Sequence, residues 1–124
     1  MSQSAGLGVA NCLVALLSAD EATRQRAEAF LQRAERECLG ALVQELCAVA
    51  AADGAAAHLR QLACILLKNL VRVHWHSGAP RFLPPLLGAD EKLLVKQTTT
   101  QMLGSKDTKL RTAAALCVAA VVAF

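Results

Sequence analysis

Apolar side chains recur along most of this chain at spacings of three and four, the pattern of helices that each bury one face. Between residue 21 and Cys38, the side chains of Ala27, Phe30, Leu31, Ala34 and Cys38 share such a face, and Arg24, Glu28, Gln32 and Arg36 form a polar i, i+4 ladder on the other. Over 55–73 the inward stripe is Leu59, Leu62, Ala63, Leu66, Leu70 and Val73, while Gln61, Ile65, Lys68 and Arg72 fall on a second stripe beside Asn69, open to a partner. The same periodicity predicts helices over 7–17, over 39–51, from Asp90 to Gly104, and from Ser105 or Asp107 to the last residue. Ser18 or Asp20 is placed to cap the second helix and Asp90 the fifth, and Asp53-Gly54 is a turn signal closing the third. The last helix is apolar on two faces, with Leu110, Ala113, Ala114, Cys117, Val121 and Phe124 on one and Leu116, Val118, Ala119 and Val122 on the other.

Three of these helices are copies of one unit. Arg-x-x-Ala occurs at Arg24-Gln25-Arg26-Ala27, at Arg60-Gln61-Leu62-Ala63 and at Arg111-Thr112-Ala113-Ala114, followed four residues after the Ala by Leu31, Leu67 and Val118. The intervals run from 24 to 60 and from 60 to 111, so the second is the longer. Its excess falls on residues 76–88, which hold all three prolines and therefore form a loop. The corrected period matches helix-pair repeats of the HEAT and armadillo kind, about 40 residues each. The expected fold is all-α, an α-solenoid (a HEAT/armadillo-like, right-handed superhelix) of about three helix pairs. Repeat 1 covers about 7–38, repeat 2 about 39–75, a Pro-rich loop 76–88, and repeat 3 about 89–124. The second helix of each pair, the B helix, is expected to lie beside its neighbours and line an inner wall. A natural terminal repeat needs a polar outer face. The last helix lacks one, so the chain is expected to be the N-terminal part of a longer array with an end prone to self-association.

Composition narrows the chemistry. The chain's 124 residues suit one domain, Ala and Leu dominate over strand formers, and the net charge is +3. Basic residues are interspersed with acidic ones along the sequence, which argues against nucleic acid as the main partner. The five Cys, at 12, 38, 47, 64 and 117, include no CxxC pair, and no secretory leader is expected. They read as reduced thiols of a cytosolic or nuclear protein. The longest apolar run, residues 113–124, falls short of the about 20 residues a spanning helix needs, so no membrane insertion is expected.

Catalytic and metal chemistry find little support. His74 and His76 are two apart and point in different directions on a helix, and no further His or paired Cys completes a metal site. Trp75 is expected to cover the junction between the fourth and fifth helices. Cys64 has His58 and His74 six and ten residues away, which do not face it reliably, and no Gly-rich phosphate loop is present. Thr98-Thr99-Thr100 is a β-branched interruption that packing tolerates. The three recurring arginines are expected to pack their stems or pair with a carboxylate on the adjacent helix. A binding protein without enzymatic activity, metal or cofactor is the expectation.

The order of motifs resembles a known family. Leu16-Leu17-Ser18-Ala19-Asp20 through Arg24, Ala27-Glu28 and Phe30-Leu31 is similar to the N-terminal repeat of the karyopherin-β nuclear transport receptors. Leu66-Leu67-Lys68-Asn69-Leu70, followed by Trp75, resembles the Leu-x-x-Lys-Asn signature of their second repeat. Arg81-Phe82, Val95-Lys96 and Gln101-Met102-Leu103-Gly104 resemble the importin-β branch more than the transportins or exportins. The resemblance implies nuclear import: a HEAT superhelix that binds cargo or the importin-α adaptor, passes Phe-Gly nucleoporins, and releases cargo when the small GTPase Ran binds in its GTP form. It implies cytoplasm and nucleus, with the nuclear pore, as location, and Ran binding through the inner B helices of the first repeats. On this reading Lys68, Asn69 and Arg72 are the leading Ran contacts, with Glu28, Gln32 and Arg111 weaker ones. A HEAT-repeat scaffold subunit of a multiprotein complex is the alternative.

Overall fold

Six helices and no strand make up residues 8–123, the residues described in this computed structural model. They are α1 (Val9–Leu16), α2 (Glu21–Glu37), α3 (Leu39–Ala51), α4 (Ala57–His74), α5 (Ala89–Leu103) and α6 (Thr108–Val122). The expected start at Leu7 and the contribution of Phe124 to the last helix lie outside the described residues. Gly8 precedes α1 with φ of 81°, a left-handed conformation that a side chain resists.

Two corners of the fold are built alike from matching sequence. Before α2, Ser18 Oγ accepts from the Asp20 N–H at 3.0 Å, and Asp20 Oδ2 accepts from the Thr23 N–H at 2.9 Å, capping the helix. The hydrogen bonds from Thr23 hold the Asp20 carboxyl below its ordinary pKa. Before α6, Ser105 Oγ accepts from the Asp107 N–H at 3.1 Å, and Asp107 Oδ1 accepts from the Lys109 N–H at 2.8 Å. In both corners the recurring arginine folds back: Arg24 Nη1 donates to the Ser18 carbonyl at 2.8 Å, and Arg111 Nη1 to the Ser105 carbonyl at 2.8 Å. Arg60 does the same at the α3 to α4 corner, donating to the Ala50 carbonyl at 2.9 Å, with exposed Asp53 3.7 Å away. Backbone carbonyls just past the preceding helix thus take the place of the expected carboxylate for Arg24 and Arg111, whose side chains are half-buried. An unsatisfied carbonyl there welcomes a cation.

At α5 the start differs from expectation. The cap position is Gly88, and Asp90 lies in the first turn; Glu91 Oε1 reaches back to accept from the Gly88 N–H at 3.1 Å. The threonine run sits inside α5 without breaking it, because Thr99 and Thr100 hydroxyls donate to the carbonyls of Val95 (2.8 Å) and Lys96 (2.7 Å) one turn back.

The core runs through all the helices. Leu13 of α1, Leu42, Val43 and Leu46 of α3, Ala63, Leu67 and Val71 of α4, Val95 and Met102 of α5, and Leu110, Ala114 and Cys117 of α6 are fully or almost fully buried. Helix α3 pairs with α4 and α5 with α6, while α4 packs along α6 and α3 along α5, the stacking of helix pairs found in HEAT-like α-solenoids. Helix α1 pairs with α2 and rests on α3 and α4. The side-by-side arrangement expected for the B helices holds for α4 and α6. It does not hold for α2 and α4, which are not packed along their length. Leu31 of α2 and Leu66 and Leu70 of α4 stand on opposite sides of an open slot floored by Leu42 and Leu46 of α3.

Candidate functional site

The predicted residues distribute over two faces of α4. This helix carries no acidic residue, and its last turn holds Arg72, a cation favoured by the negative helix C-terminus, and His74. Asn69 is exposed and lines the slot with Glu35 of α2, a space of about 170 Å³. Lys68 is half-buried and turned toward α6, close enough for its charge to act on the Cys117 thiol. Arg72, one turn further, is exposed at a groove of about 460 Å³ with Arg81 of the loop and Leu116, Ala119 and Ala123 at the end of α6. No carboxylate pairs with Lys68 or Arg72 among the described residues.

On α2, Glu28 and Gln32 are exposed one turn apart. Gln32 borders a hollow with Glu35, Arg36 and His74, so it and Asn69 lie on either side of Glu35. Arg111 stands elsewhere. Its guanidinium is engaged by Ser105 and by Thr108 Oγ1 at 3.0 Å, at the opposite end of α6 from the groove that holds Arg72. The fold thus brings Lys68 and Arg72 together on one side of α4, and Asn69 together with the Gln32 region on the other.

His74 organises the neighbourhood. Its ring is 2% exposed, with Nδ1 donating to the carbonyls of Leu83 (2.8 Å) and Pro85 (2.9 Å) and Nε2 lying 2.6 Å from Glu35 Oε2. Backbone bonds from Leu83 N–H to the Val73 carbonyl and from Leu87 N–H to the His74 carbonyl finish docking the loop on the end of α4. Trp75 continues the cover, packed against the core with the Lys92 ammonium of α5 5.5 Å from its ring centroid. The ring nitrogens of His74 are therefore committed to Glu35 and the loop rather than to Cys64, whose Sγ lies 3.3 Å from Met102 Sδ. Burial pushes the thiols of Cys47 and Cys64 up to about 11 and that of Cys117 to about 12, far from nucleophilic at neutral pH. Among the described residues no group of three or more His, Cys, Asp and Glu is arranged to hold a metal ion, and no helix is long and apolar enough to cross a membrane.

What this surface offers chemically is recognition: cations without internal partners, an exposed amide, and two recesses with apolar walls. Sequence periodicity missed Arg81, which sits in a loop outside any helical register, and Glu35, whose role depends on His74 of another repeat. One signal was readable: Asp and Glu are absent from 54–89 and again from 108–124. The family model described as the importin-beta N-terminal domain matches residues 27–105 of the chain, spanning α3, α4 and α5 and most of α2. No curated protein matches the chain.

Proposed function

The chain belongs to the importin-beta N-terminal domain family, and from that premise we propose that it forms the N-terminal part of a nuclear import receptor that binds Ran in its GTP form through α2, α4 and α6. Lys68 and Arg72 are the leading contacts, with Asn69 on the other side of α4, while Glu28, Gln32 and Arg111 act at the periphery. The observation that carries this reading is the pair of unneutralised cations one turn apart on α4, a helix that also exposes Asn69 on its other side, in a chain of this family. Cations with no internal partner give up least when a carboxylate of another protein reaches them, and they steer encounter with an acidic surface.

Coupling to nucleotide state follows if the switch segments of the GTPase present their matching groups in one state only, because a ligand shifts an equilibrium only by its differential contacts. The chain then acts as a reader of the switch, with no chemistry of its own, and serves transport between cytoplasm and nucleus. Bead-bound protein offered GTP-loaded and GDP-loaded Ran is expected to retain the former selectively. Lys68→Glu combined with Arg72→Glu is expected to weaken that capture while the circular dichroism spectrum stays helical. Equal or absent retention of the two forms defeats the proposal, and a loss of helicity assigns the pair to the fold.

A further inference from the structure

The groove at the end of α4 and α6 has properties that the reading above does not use. Its floor is made of Ala119, Ala120 and Ala123, small enough for another backbone to come close, and Leu116 walls it at 48% exposure. Its rim carries Arg72 and Arg81, both exposed, and neither has a carboxylate partner among the described residues. The elements that surround it supply none: no Asp or Glu occurs in 54–89 or 108–124, which cover α4, the loop and α6. From Leu116 to Ala123 the floor runs two helical turns, about 10 Å. An apolar trough of one-sign rim is the complement of a helix that is apolar on one face and acidic along its flanks. Two guanidiniums over a low-polarity floor give carboxylates charge-assisted, bidentate hydrogen bonds.

We propose that this groove docks a short acidic amphipathic segment of a partner protein, with its carboxylates on Arg72 and Arg81 and its apolar side chains against Leu116, Ala119 and Ala123. The inference shares Arg72 with the Ran reading but is separable from it, because Arg81 and the α6 floor belong to no contact assigned there. Fluorescence anisotropy with a labelled peptide of about 12 residues built from Leu, Ala and Glu tests it, beside versions in which every Glu is Gln or Lys. The Glu peptide is expected to bind saturably and the Gln version about tenfold or more weaker. Arg81→Glu is expected to lose the Glu peptide and to gain the Lys peptide, and Ala119→Trp to fill the floor and lose both, with helicity unchanged.

Equal binding of the Glu and Gln peptides, or an Arg81→Glu protein that binds as the parent does, overturns the proposal. So does an Arg81→Glu protein that loses capture of GTP-loaded Ran along with the peptide, which makes the groove part of the Ran surface. Sedimentation of the same variants covers the other occupant: a parent protein that self-associates through the groove, with Ala119→Trp turning it monomeric and no peptide bound, also overturns it.

Discussion

The carboxylate of Glu35 on α2 meets Nε2 of His74 on α4 at 2.6 Å, and this polar contact joins two helices that are otherwise held apart by a slot. The other ring nitrogen bonds two loop carbonyls, so one imidazole fastens the first helix pair and the Pro-rich loop to the second pair. All three partners are acceptors when Glu35 is ionised. Nδ1 therefore carries a hydrogen, and one proton is held between Nε2 and Glu35. The sequence His74-Trp75-His76 invited comparison with metal ligands, yet its first member is a buried structural clasp.

Replacing His74 by Leu keeps bulk in the core but leaves the carbonyls of Leu83 and Pro85, and Glu35, without their donor. Buried acceptors that lose a partner cost about 1–3 kcal/mol each, less where water can enter, so a total loss of roughly 2–4 kcal/mol is expected. Glu35→Gln preserves a neutral hydrogen bond and is expected to cost about 1 kcal/mol or less, because Glu35 is partly solvated. Urea denaturation of the two variants reads both values, and equal midpoints for His74→Leu and the parent contradict the clasp.

The recurring arginines act at the corners of the repeats. Arg24→Ala and Arg111→Ala each remove a charged donor from a carbonyl at a helix end, for an expected cost of about 1 kcal/mol. Lys at either position keeps the charge but not the geometry of the guanidinium, so it should recover only part of the loss. Thermal unfolding of the single and double variants is the measurement. The two corners share no partners, and their effects are expected to add.

Leu67 and Leu116 lie on neighbouring stacked helices and separate core from surface. Leu67 is 1% exposed and Leu116 48%. Leu67→Ala opens a cavity between packed helices and is expected to destabilise by about 2–5 kcal/mol. Leu116→Ala trims a groove wall and is expected to stay within about 0.5 kcal/mol of the parent. A large loss on truncating Leu116 means that α6 buries a different face.

Much of this arrangement is legible in the sequence, for physical reasons that also set the limit. The phase of Arg24, Arg60 and Arg111 marks equivalent helices, and the Pro-rich interval marks the loop between them, because a helix cannot tolerate proline in its interior. Boundaries fell within two residues where a capping side chain announces them, as Asp20 and Asp107 do. At α5 the cap is Gly88 rather than Asp90, because Glu91, three residues further on, reaches back to the Gly88 N–H. Periodicity shows which face of α2 is apolar but not its distance from α4, so the slot beside Asn69 and the bond between Glu35 and His74 had no sequence signature. Of the proposed contacts, the nearness of Lys68 and Arg72 followed from their spacing of four. Arg111 stands apart from them because it lies in the first turn of α6, whereas Arg72 meets the last turns of that helix.

The five thiols should report on folding through their reactivity. Cys47, Cys64 and Cys117 are at most 2% exposed, and burial raises them to about 11, about 11 and about 12, whereas Cys12 and Cys38 are half-buried. A disulfide reagent at mild alkaline pH is therefore expected to label Cys38 readily in the native protein, Cys12 more slowly because burial also raises its thiol, and the other three only as fast as the fold opens. The same shifts fix a pH dependence. Below the unfolded value of 9.0 both states keep these protons; between there and about 11–12 the unfolded chain loses them while the native core retains them. Native stability is then expected to fall as pH rises through that window, by up to about 1.4 kcal/mol per pH unit for each thiol. Substituting all three by Ala or Val flattens that part of the profile if the assignment is right. A profile of unchanged slope shows that other groups control alkaline unfolding.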